Sequence, residues 1–314
     1  MSTALPLSGA QHLLRSGDYE AIIASVGASL RALTFGGRHL VVPFDADEVR
    51  PAFRGATLAP WPNRVVDGVY TFGGEEHQLS LTEPARGHAL HGLAAWLDFQ
   101  VVDKGSDHVT LSAVVEAQAG YPWRVRIDSR FALGPDGLTQ TVTATNESQD
   151  PAPFGTGPHP YLVAGDGIVD DWELELPADA VLQVTPDRLA PTELRPVDAD
   201  DAARFDYRVA RRIADAAIDH AYTGLSRDGE GIATVRVTDA SGAGVQMRWD
   251  AACPWVQIHT ADRPGLPIDR IGLAVEPMTC APDAFNAARY GFDAGLVTLS
   301  PGESASAGWT IAAL

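Results

Sequence analysis

The sequence has 314 residues, of which 23 are Lys or Arg and 41 are Asp or Glu, so its net charge is −18 at neutral pH. This charge argues against binding to nucleic acids, whose phosphates repel an acidic surface. With 45% hydrophobic and 20% charged residues, the composition is typical of a folded protein and not of a disordered one.

Short segments of alternating or β-branched character recur along the chain and predict strands. In chain order they cover residues 19–26, 39–44, 68–72, 99–102, 108–115, 123–133, 138–145, 232–237, 245–249 and 255–259. Turns rich in Gly, Pro and Asp separate them, and only residues 198–217 have a possible helical character. Without the long crossover helices that a parallel sheet needs, the sequence predicts an all-β fold, a large antiparallel β-sandwich with few short helices.

The chain shows no linker, low-complexity tract or fixed-period repeat, so we expect one domain over residues 1–314. The N-terminal segment lacks a basic region followed by an apolar run, and no apolar stretch is long enough to span a membrane. These features predict a cytoplasmic protein without a membrane partner. Cys253 and Cys280 are too few for a disulfide framework, and we expect reduced thiols.

Several chemistries lack their usual sequence support. The chain has no glycine-rich loop of the phosphate-binding or dinucleotide-binding type between a strand and a helix, and no Gly-x-Ser-x-Gly motif. Acid–base catalysis and metal chemistry therefore remain the candidate chemistries.

Glu276 is the candidate general base. It follows the apolar run 271–275, which predicts a buried strand, and it precedes Pro277, which we expect to end strand pairing. Burial at a strand end disfavours the carboxylate and raises its pKa toward the range of a base that works near neutral pH. The alternative is an ion pair between Glu276 and an arginine at a sheet edge.

His159 is the candidate proton donor. It lies between two prolines, which fix the backbone and predict a strand end or a loop. Its ordinary pKa of about 6.5 suits proton transfer near pH 7. The alternative is a histidine that caps a turn.

His88 and His91 are three residues apart, but Gly87 and Gly92 flank them and favour a loop over a helix. The chain has no His-x-His or His-Glu-x-x-His spacing that would indicate a zinc or manganese site. We therefore expect metal-free chemistry.

Further polar and aromatic residues suit a hydroxyl-rich ligand. Arg64 offers a fork of N–H donors that Asn63 would orient, and Asp219, at a predicted strand start, would accept hydrogen bonds from sugar hydroxyls. Tyr161 would present an aromatic face to a sugar ring. Each also has a structural alternative, as a hairpin residue, a turn cap or part of the core.

Taken in order, these segments resemble the aldose 1-epimerase (galactose mutarotase) family over nearly the whole chain. The resemblance rests on the hairpin 19–44 with its Gly27-Ala28 turn, Pro62-Asn63-Arg64-Val65, Gly68-Val69-Tyr70, Ala89-Leu90-His91-Gly92, Gly157-Pro158-His159-Pro160-Tyr161, Ile218-Asp219-His220, Val256-Gln257-Ile258 and Val275-Glu276-Pro277. It implies a large β-sandwich of the galactose mutarotase type and the interconversion of α and β anomers of a free aldose without a cofactor.

The resemblance also implies roles for individual residues. Glu276 corresponds to the general base and His159 to the general acid that protonates the ring oxygen. The residues implied to bind substrate are Arg64 and His91 near the ring oxygen, Asp219 at the distal hydroxyls, and Asn63 and Gln257. The expected partner is a small-molecule sugar, bound by a monomer or a homodimer.

Two departures from the family pattern bear on the substrate. Better-known members often have Gly-Gly after Leu-His, where this chain has His91-Gly92-Leu93-Ala94, and residues 276–286 resemble a bacterial branch. Galactose is therefore one of several candidate substrates. The alternatives are a hexose-6-phosphate 1-epimerase using Arg54, Arg64 and Arg86, a non-catalytic sugar-binding module, and a glycoside hydrolase or lyase with paired carboxylates.

Overall fold

A computed structural model describes residues 5–314, and in that range the chain consists mainly of strands. The strands are β1 (Gln11–Ser16), β2 (Tyr19–Ala24), β3 (Ser29–Phe35), β4 (Arg38–His39), β5 (Thr57–Leu58), β6 (Arg64–Val66), β7 (Val69–Phe72), β8 (Glu75–Gln78), β9 (His88–Leu90), β10 (Gln100–Lys104), β11 (His108–Val115), β12 (Val125–Gly134), β13 (Gly137–Asn146), β14 (Ala152–Phe154), β15 (Gly157–Pro158), β16 (Tyr161–Leu162), β17 (Glu173–Glu175), β18 (Ala178–Val184), β19 (Pro191–Pro196), β20 (Arg211–Arg212), β21 (Asp219–Leu225), β22 (Ala233–Thr238), β23 (Gly244–Trp249), β24 (Trp255–His259), β25 (Leu273–Met278), β26 (Val297–Leu299) and β27 (Ser304–Ala313).

The helices are short. They are α1 (Ala202–Phe205) and the 3-10 helices Pro51–Phe53, Ala94–Trp96, Val169–Asp171 and Ala284–Arg289. Within residues 5–314, no helix has the length and apolar character needed to cross a bilayer.

Three antiparallel sheets make up most of the fold. The largest has nine strands in the order β10-β11-β12-β13-β27-β23-β22-β17-β20, the second has six in the order β16-β25-β24-β21-β18-β19, and the third has four in the order β1-β2-β3-β4. The pairs β14-β26, β5-β15, β6-β9 and β7-β8 complete the architecture. The predicted all-β fold with large antiparallel sheets and few short helices is confirmed.

The main core joins the nine-stranded and six-stranded sheets. Ile127 and Phe131 of β12 and Val142 of β13 are fully buried, and they belong to one hydrophobic cluster with Tyr222 of β21 and Ile258 of β24. Inward-facing residues alternate with more exposed ones along β12 and β13. This period of two is what lets each sheet cover the apolar face of the other.

Two sequence predictions need correction. The predicted strand 39–44 stops at His39, because the backbone of residues 40–42 turns to pair with the segment around β16: Val42 N–H donates to Tyr161 O at 2.8 Å. In the segment 198–217 only α1 is helical. Arg211 helps to end it, since its guanidinium donates to the carbonyls of Ala203 and Asp206, both at 2.7 Å, and β20 then joins the edge of the nine-stranded sheet.

Cys253 and Cys280 are both free and buried, as expected of reduced thiols. Burial raises the pKa of both thiols, that of Cys280 to about 12. Both groups therefore stay protonated and pack as small apolar side chains.

Candidate active site

One cavity of about 350 Å³ brings together the eight residues that the sequence analysis proposes for catalysis and substrate binding. They are Asn63, Arg64, His91, His159, Tyr161, Asp219, Gln257 and Glu276. The residues come from segments more than 200 positions apart in the chain, so the fold, and not local sequence, assembles the site.

Three neighbouring strands of the six-stranded sheet form one wall of the cavity. Gln257 of β24 lies directly opposite Glu276 of β25, and His259 lies opposite Asp219 of β21. Directly paired residues of an antiparallel sheet share a face, as do residues two apart on one strand. The register therefore points all four side chains into the cavity.

Glu276 lies inside β25 and not at its end, which corrects the prediction that Pro277 ends strand pairing. The strand continues to Met278, with Pro277 opposite Val256. A proline is tolerated in a strand where its missing N–H would point away from the paired neighbour. Glu276 is 1% exposed, and no arginine in residues 5–314 forms an ion pair with it, so the alternative of an ion pair at a sheet edge is not found.

His159 lies between β15 and β16, in the loop or strand-end position that its flanking prolines predict. Its N–H donates to Ala56 O at 3.1 Å, and its carbonyl accepts from Gly55 N–H at 2.8 Å. The imidazole stacks on the ring of Tyr161 with a centroid separation of 5.1 Å. Backbone and ring are both fixed by these contacts.

Gly55 is part of this support, and we expect Gly55→Ala to destabilise the fold. Gly55 has a φ of +66°, and an added Cβ would lie 2.0 Å from Leu30 O. We expect the free energy of unfolding in urea to fall by about 3 kcal/mol or more. Gly36→Ala is the matched control, because Gly36 has a φ of +57° and open space around it; its expected cost is only about 1 kcal/mol. Equal losses in both variants would contradict the close contact with Leu30.

His159 and Glu276 form a buried pair, with Nε2 of the imidazole 3.4 Å from Oε1 of the carboxyl group. Burial raises the pKa of Glu276 well above its usual value; the charge of Asp219 adds to this effect, and that of Arg64 opposes it. Burial, together with His259, lowers the pKa of His159 to about 3. Since neither charged form is favoured alone, the pair holds one shared proton over a wide pH range.

Arg64 projects into the cavity from β6 and is held by a carboxylate that the sequence did not indicate. Glu83 accepts from Arg64 Nε at 2.7 Å and from Nη2 at 3.0 Å. Asp219 Oδ2 lies 4.0 Å from Nη2. Although burial opposes its charge, the pKa of Arg64 is raised by Glu83, Asp219 and Glu276. Arg64 is therefore a fixed cation with donors left over for a ligand.

His91 follows β9, and its backbone has a φ of +61°. The backbone N–H of Asn63 donates to His91 Nδ1 at 3.2 Å, which leaves the hydrogen on Nε2. Burial, His159 and Arg64 keep the pKa of His91 well below its usual value. His88, expected in a loop, instead begins β9 and faces Asp67 and Arg188.

Asp219 and Gln257 form the polar end of the cavity. Gln257 Nε2 donates to Asp219 Oδ1 at 2.6 Å. Although burial opposes ionisation, His259, Arg64 and Gln257 keep the pKa of Asp219 below its usual value, so it remains an ionised acceptor. Tyr161 donates its hydroxyl to Ala52 O at 3.2 Å and lines the cavity with its ring.

Sequence reasoning missed several cavity residues, of which His259 and Glu83 lie beside the predicted site residues Asp219 and Arg64. His259 carried a signal, because it lies two residues beyond Gln257 on a predicted strand and so shares its face. Its Nδ1 lies 3.9 Å from Asp219 Oδ2. Glu83 carried none, since it lies in a turn whose position beside Arg64 depends on the tertiary fold. Within residues 5–314 no group of three or more His, Cys, Asp or Glu side chains is arranged to hold a metal ion.

Comparison with known proteins identifies the family of the chain. A family model described as aldose 1-epimerase matches residues 11–311. The uncharacterized protein YihR of Escherichia coli is 36% identical over 286 residues, which cover 90% of this chain and 88% of YihR. Galactose mutarotase of Mus musculus is 26% identical over 212 residues, covering 62% of this chain and 59% of the mouse protein.

Solved structures show the same fold. An aldose epimerase homologue from C. elegans has a TM-score of 0.82 at 21% identity, covering 97% of this chain and 99% of its own. A structure described as a putative aldose 1-epimerase from Escherichia coli K12 has a TM-score of 0.81 at 21% identity, covering 97% and 99% of the two chains. Because the family match extends over nearly all of the sequence, the chain belongs to the aldose 1-epimerase family.

Proposed function

We propose that the protein is a mutarotase that interconverts the α and β anomers of a free hexose by general acid–base catalysis. The observation that carries this proposal is the buried pair of His159 and Glu276, with 3.4 Å between Nε2 and Oε1, in a cavity lined by hydrogen-bonding groups. Family membership supports an isomerase, and the pair supplies the proton-transfer groups that ring opening requires.

In the proposed reaction, Glu276 removes the proton from the C1 hydroxyl while protonated His159 donates a proton to the ring oxygen. The bond between C1 and the ring oxygen breaks, and C1 becomes an aldehyde. Rotation about C1–C2 presents the other face of the carbonyl. The ring hydroxyl then attacks that face, returning its proton to His159, while Glu276 protonates the new C1 oxygen.

The number of protons on the pair is the same at every step. Burial favours the form of the pair with the proton on Glu276, so the reactive form, with the proton on His159 and Glu276 as a carboxylate, arises when that proton crosses between the two groups. In the aldehyde complex the proton lies on Glu276 and His159 is neutral. The substrate carries the proton between the two groups, so the site needs no exchange with solvent and this scheme uses no cofactor. Positioned acid and base groups each contribute about 10²–10⁴-fold in rate.

The other cavity residues would hold the sugar. His91, with its hydrogen on Nε2, and Arg64 are donors suited to the ring oxygen and the neighbouring hydroxyls. Asp219 is an ionised acceptor for distal hydroxyls, with Gln257 beside it. Asn63 supports this arrangement, since its backbone N–H fixes the tautomer of His91.

The shared proton predicts an unusual pH dependence. Because the pKa of His159 is lowered to about 3, a second proton enters the pair only near that pH, so we expect kcat/KM to stay constant from neutral pH to about pH 4.5. On the alkaline side, activity falls only above the raised pKa of Glu276, where the single proton is lost. If the second proton bound with the ordinary histidine pKa of about 6.5, kcat/KM would already be about 100-fold lower at pH 4.5. Polarimetry with the buffer rate subtracted separates these outcomes.

The proposed function is tested by polarimetry of freshly dissolved α-D-glucose and α-D-galactose at neutral pH, with and without protein. Acceleration that survives treatment with a chelator supports metal-free mutarotation. Binding of either sugar in a calorimeter without acceleration would support a non-catalytic sugar-binding module. Release of reducing ends from oligosaccharides would instead indicate a glycoside hydrolase.

A phosphorylated hexose is the second candidate substrate. Arg263 lines the cavity, and in residues 5–314 no carboxylate lies within ion-pair distance of its guanidinium, which donates only to the carbonyl of Asp262. A phosphate group would be a suitable partner for it. Comparing kcat/KM for α-D-glucose and for its 6-phosphate decides between the two substrates.

A further inference from the structure

Arg64 lies between two carboxylates that compete for it. Glu83 binds it through two hydrogen bonds of 2.7 and 3.0 Å, whereas Asp219 stands 4.0 Å away, just beyond hydrogen-bond distance. The side chains of Arg64 and Glu83 are only 9% and 12% exposed. In such surroundings a guanidinium interacts strongly with whichever carboxylate holds it.

We infer that Glu83 is a positioning residue that keeps Arg64 from closing onto Asp219, so that both remain free for sugar hydroxyls. This inference rests on the proposed function. A guanidinium has five N–H donors. Glu83 takes two of them, and Asn63 Oδ1 lies 3.4 Å from Nη1. The remaining donors stay available to a ligand in the cavity.

The backbone around Glu83 explains how it resists the pull of Asp219. Glu83 N–H donates to His88 O at 3.0 Å, and Glu83 O accepts from Gly87 N–H at 2.9 Å. His88 begins β9, which pairs with β6, the strand that carries Arg64. Glu83 and Arg64 are thus fixed to the same pair of strands, while Asp219 belongs to the six-stranded sheet.

The charged groups around Glu83 also support its role in positioning Arg64. Arg86 Nη1 also donates to Glu83, at 3.0 Å, so the carboxylate is shared by two guanidinium groups. Without Glu83, Asp219 would be the nearest ion-pair partner of Arg64. An ion pair between them would use the acceptor and the donors proposed to bind substrate, and the sugar would have to break it first.

The test compares Glu83→Ala, Arg64→Ala and the double variant by their effects on KM and kcat/KM in polarimetry. We expect Glu83→Ala to lower kcat/KM by up to about 100-fold, mainly through KM, because misplacing a substrate-binding group has effects of this size. Glu83→Gln keeps one acceptor for Arg64 and should recover part of the loss. Because Glu83 acts through Arg64, the double variant should be no worse than Arg64→Ala.

Losses that multiply in the double variant, or full activity of Glu83→Ala, would overturn the inference. Glu175→Ala, which removes a half-exposed ion pair with Arg236 outside the cavity, controls for the general loss of a salt bridge. A crystal structure of Glu83→Ala gives a reading independent of activity. We expect Arg64 Nη2 in this variant to move from 4.0 Å to within hydrogen-bond distance of Asp219. If Arg64 does not move, Glu83 does not position it, whatever the activity of the wild-type protein. If the wild-type protein does not accelerate mutarotation, the proposed function is refuted independently of this result.

Discussion

Glu276→Gln should lower kcat/KM for mutarotation by about 10²–10⁴-fold, the usual contribution of a positioned general base. Glutamine keeps the shape of the side chain and a hydrogen bond toward His159, but it accepts no proton from the C1 hydroxyl. Burial already favours the neutral form of Glu276, as the raised pKa of its carboxyl group indicates. A neutral amide should therefore fit the same space with little effect on the melting temperature.

Sugar binding provides the control for this variant. Because the donors and acceptors of Arg64, His91 and Asp219 are untouched, calorimetry should give a dissociation constant close to that of the wild-type protein. Glu303→Gln, which changes an exposed carboxylate that does not line the cavity, should keep full activity. Wild-type rates in Glu276→Gln would exclude Glu276 as the base.

His159→Asn is expected to produce a loss of similar size, about 10²–10⁴-fold, because the ring oxygen then loses its proton donor. Asparagine is polar and smaller than histidine, so it can occupy this site between Phe53 and Tyr161 without overpacking. Its amide has no proton to give at any accessible pH. The rate is measured by polarimetry at saturating sugar, with folding checked by circular dichroism.

Combining His159→Asn with Glu276→Gln gives the sharper result. In the proposed scheme a single proton passes from one group to the other through the sugar, so losing either group already stops the relay. We therefore expect the double variant to be about as slow as the slower single variant, as is seen when groups act as a unit. Losses that multiply would mean that the two residues act independently.

The strands were predictable where their pattern is local. Residues 108–115 and 255–259 match β11 and β24 to the residue; burial alternates over the first half of β11, whereas β24 is buried at every position up to Ile258. The segment 39–44 has similar apolar residues but ends its ladder at His39, because its burial depends on β16, more than 100 residues away in the chain. A sequence pattern shows that a segment will be buried, but it does not show which segment buries it.

The residues of the site also differ in whether the local sequence indicates them. Glu276 was recognised because a charged residue inside an apolar run is unusual. His259 was missed, although it lies two residues beyond Gln257 and so shares its face of the predicted strand. Glu83 was not recognisable, because its two hydrogen bonds to Arg64 arise from the pairing of β6 with β9. No local feature distinguishes it from the many exposed acidic residues of this chain.

One wall of the cavity consists of paired strands and another of connecting segments, so substitutions in the two walls have different effects on the site. Glu276, Gln257 and Asp219 are held by the register of β21, β24 and β25, where a shift of one residue would turn each side chain to the opposite face. Leu189 and Arg263 reach the cavity from loops. Substitutions in those loops should alter the range of accepted sugars while the proton-transfer groups stay in place, so selectivity and chemistry can evolve, or be engineered, separately.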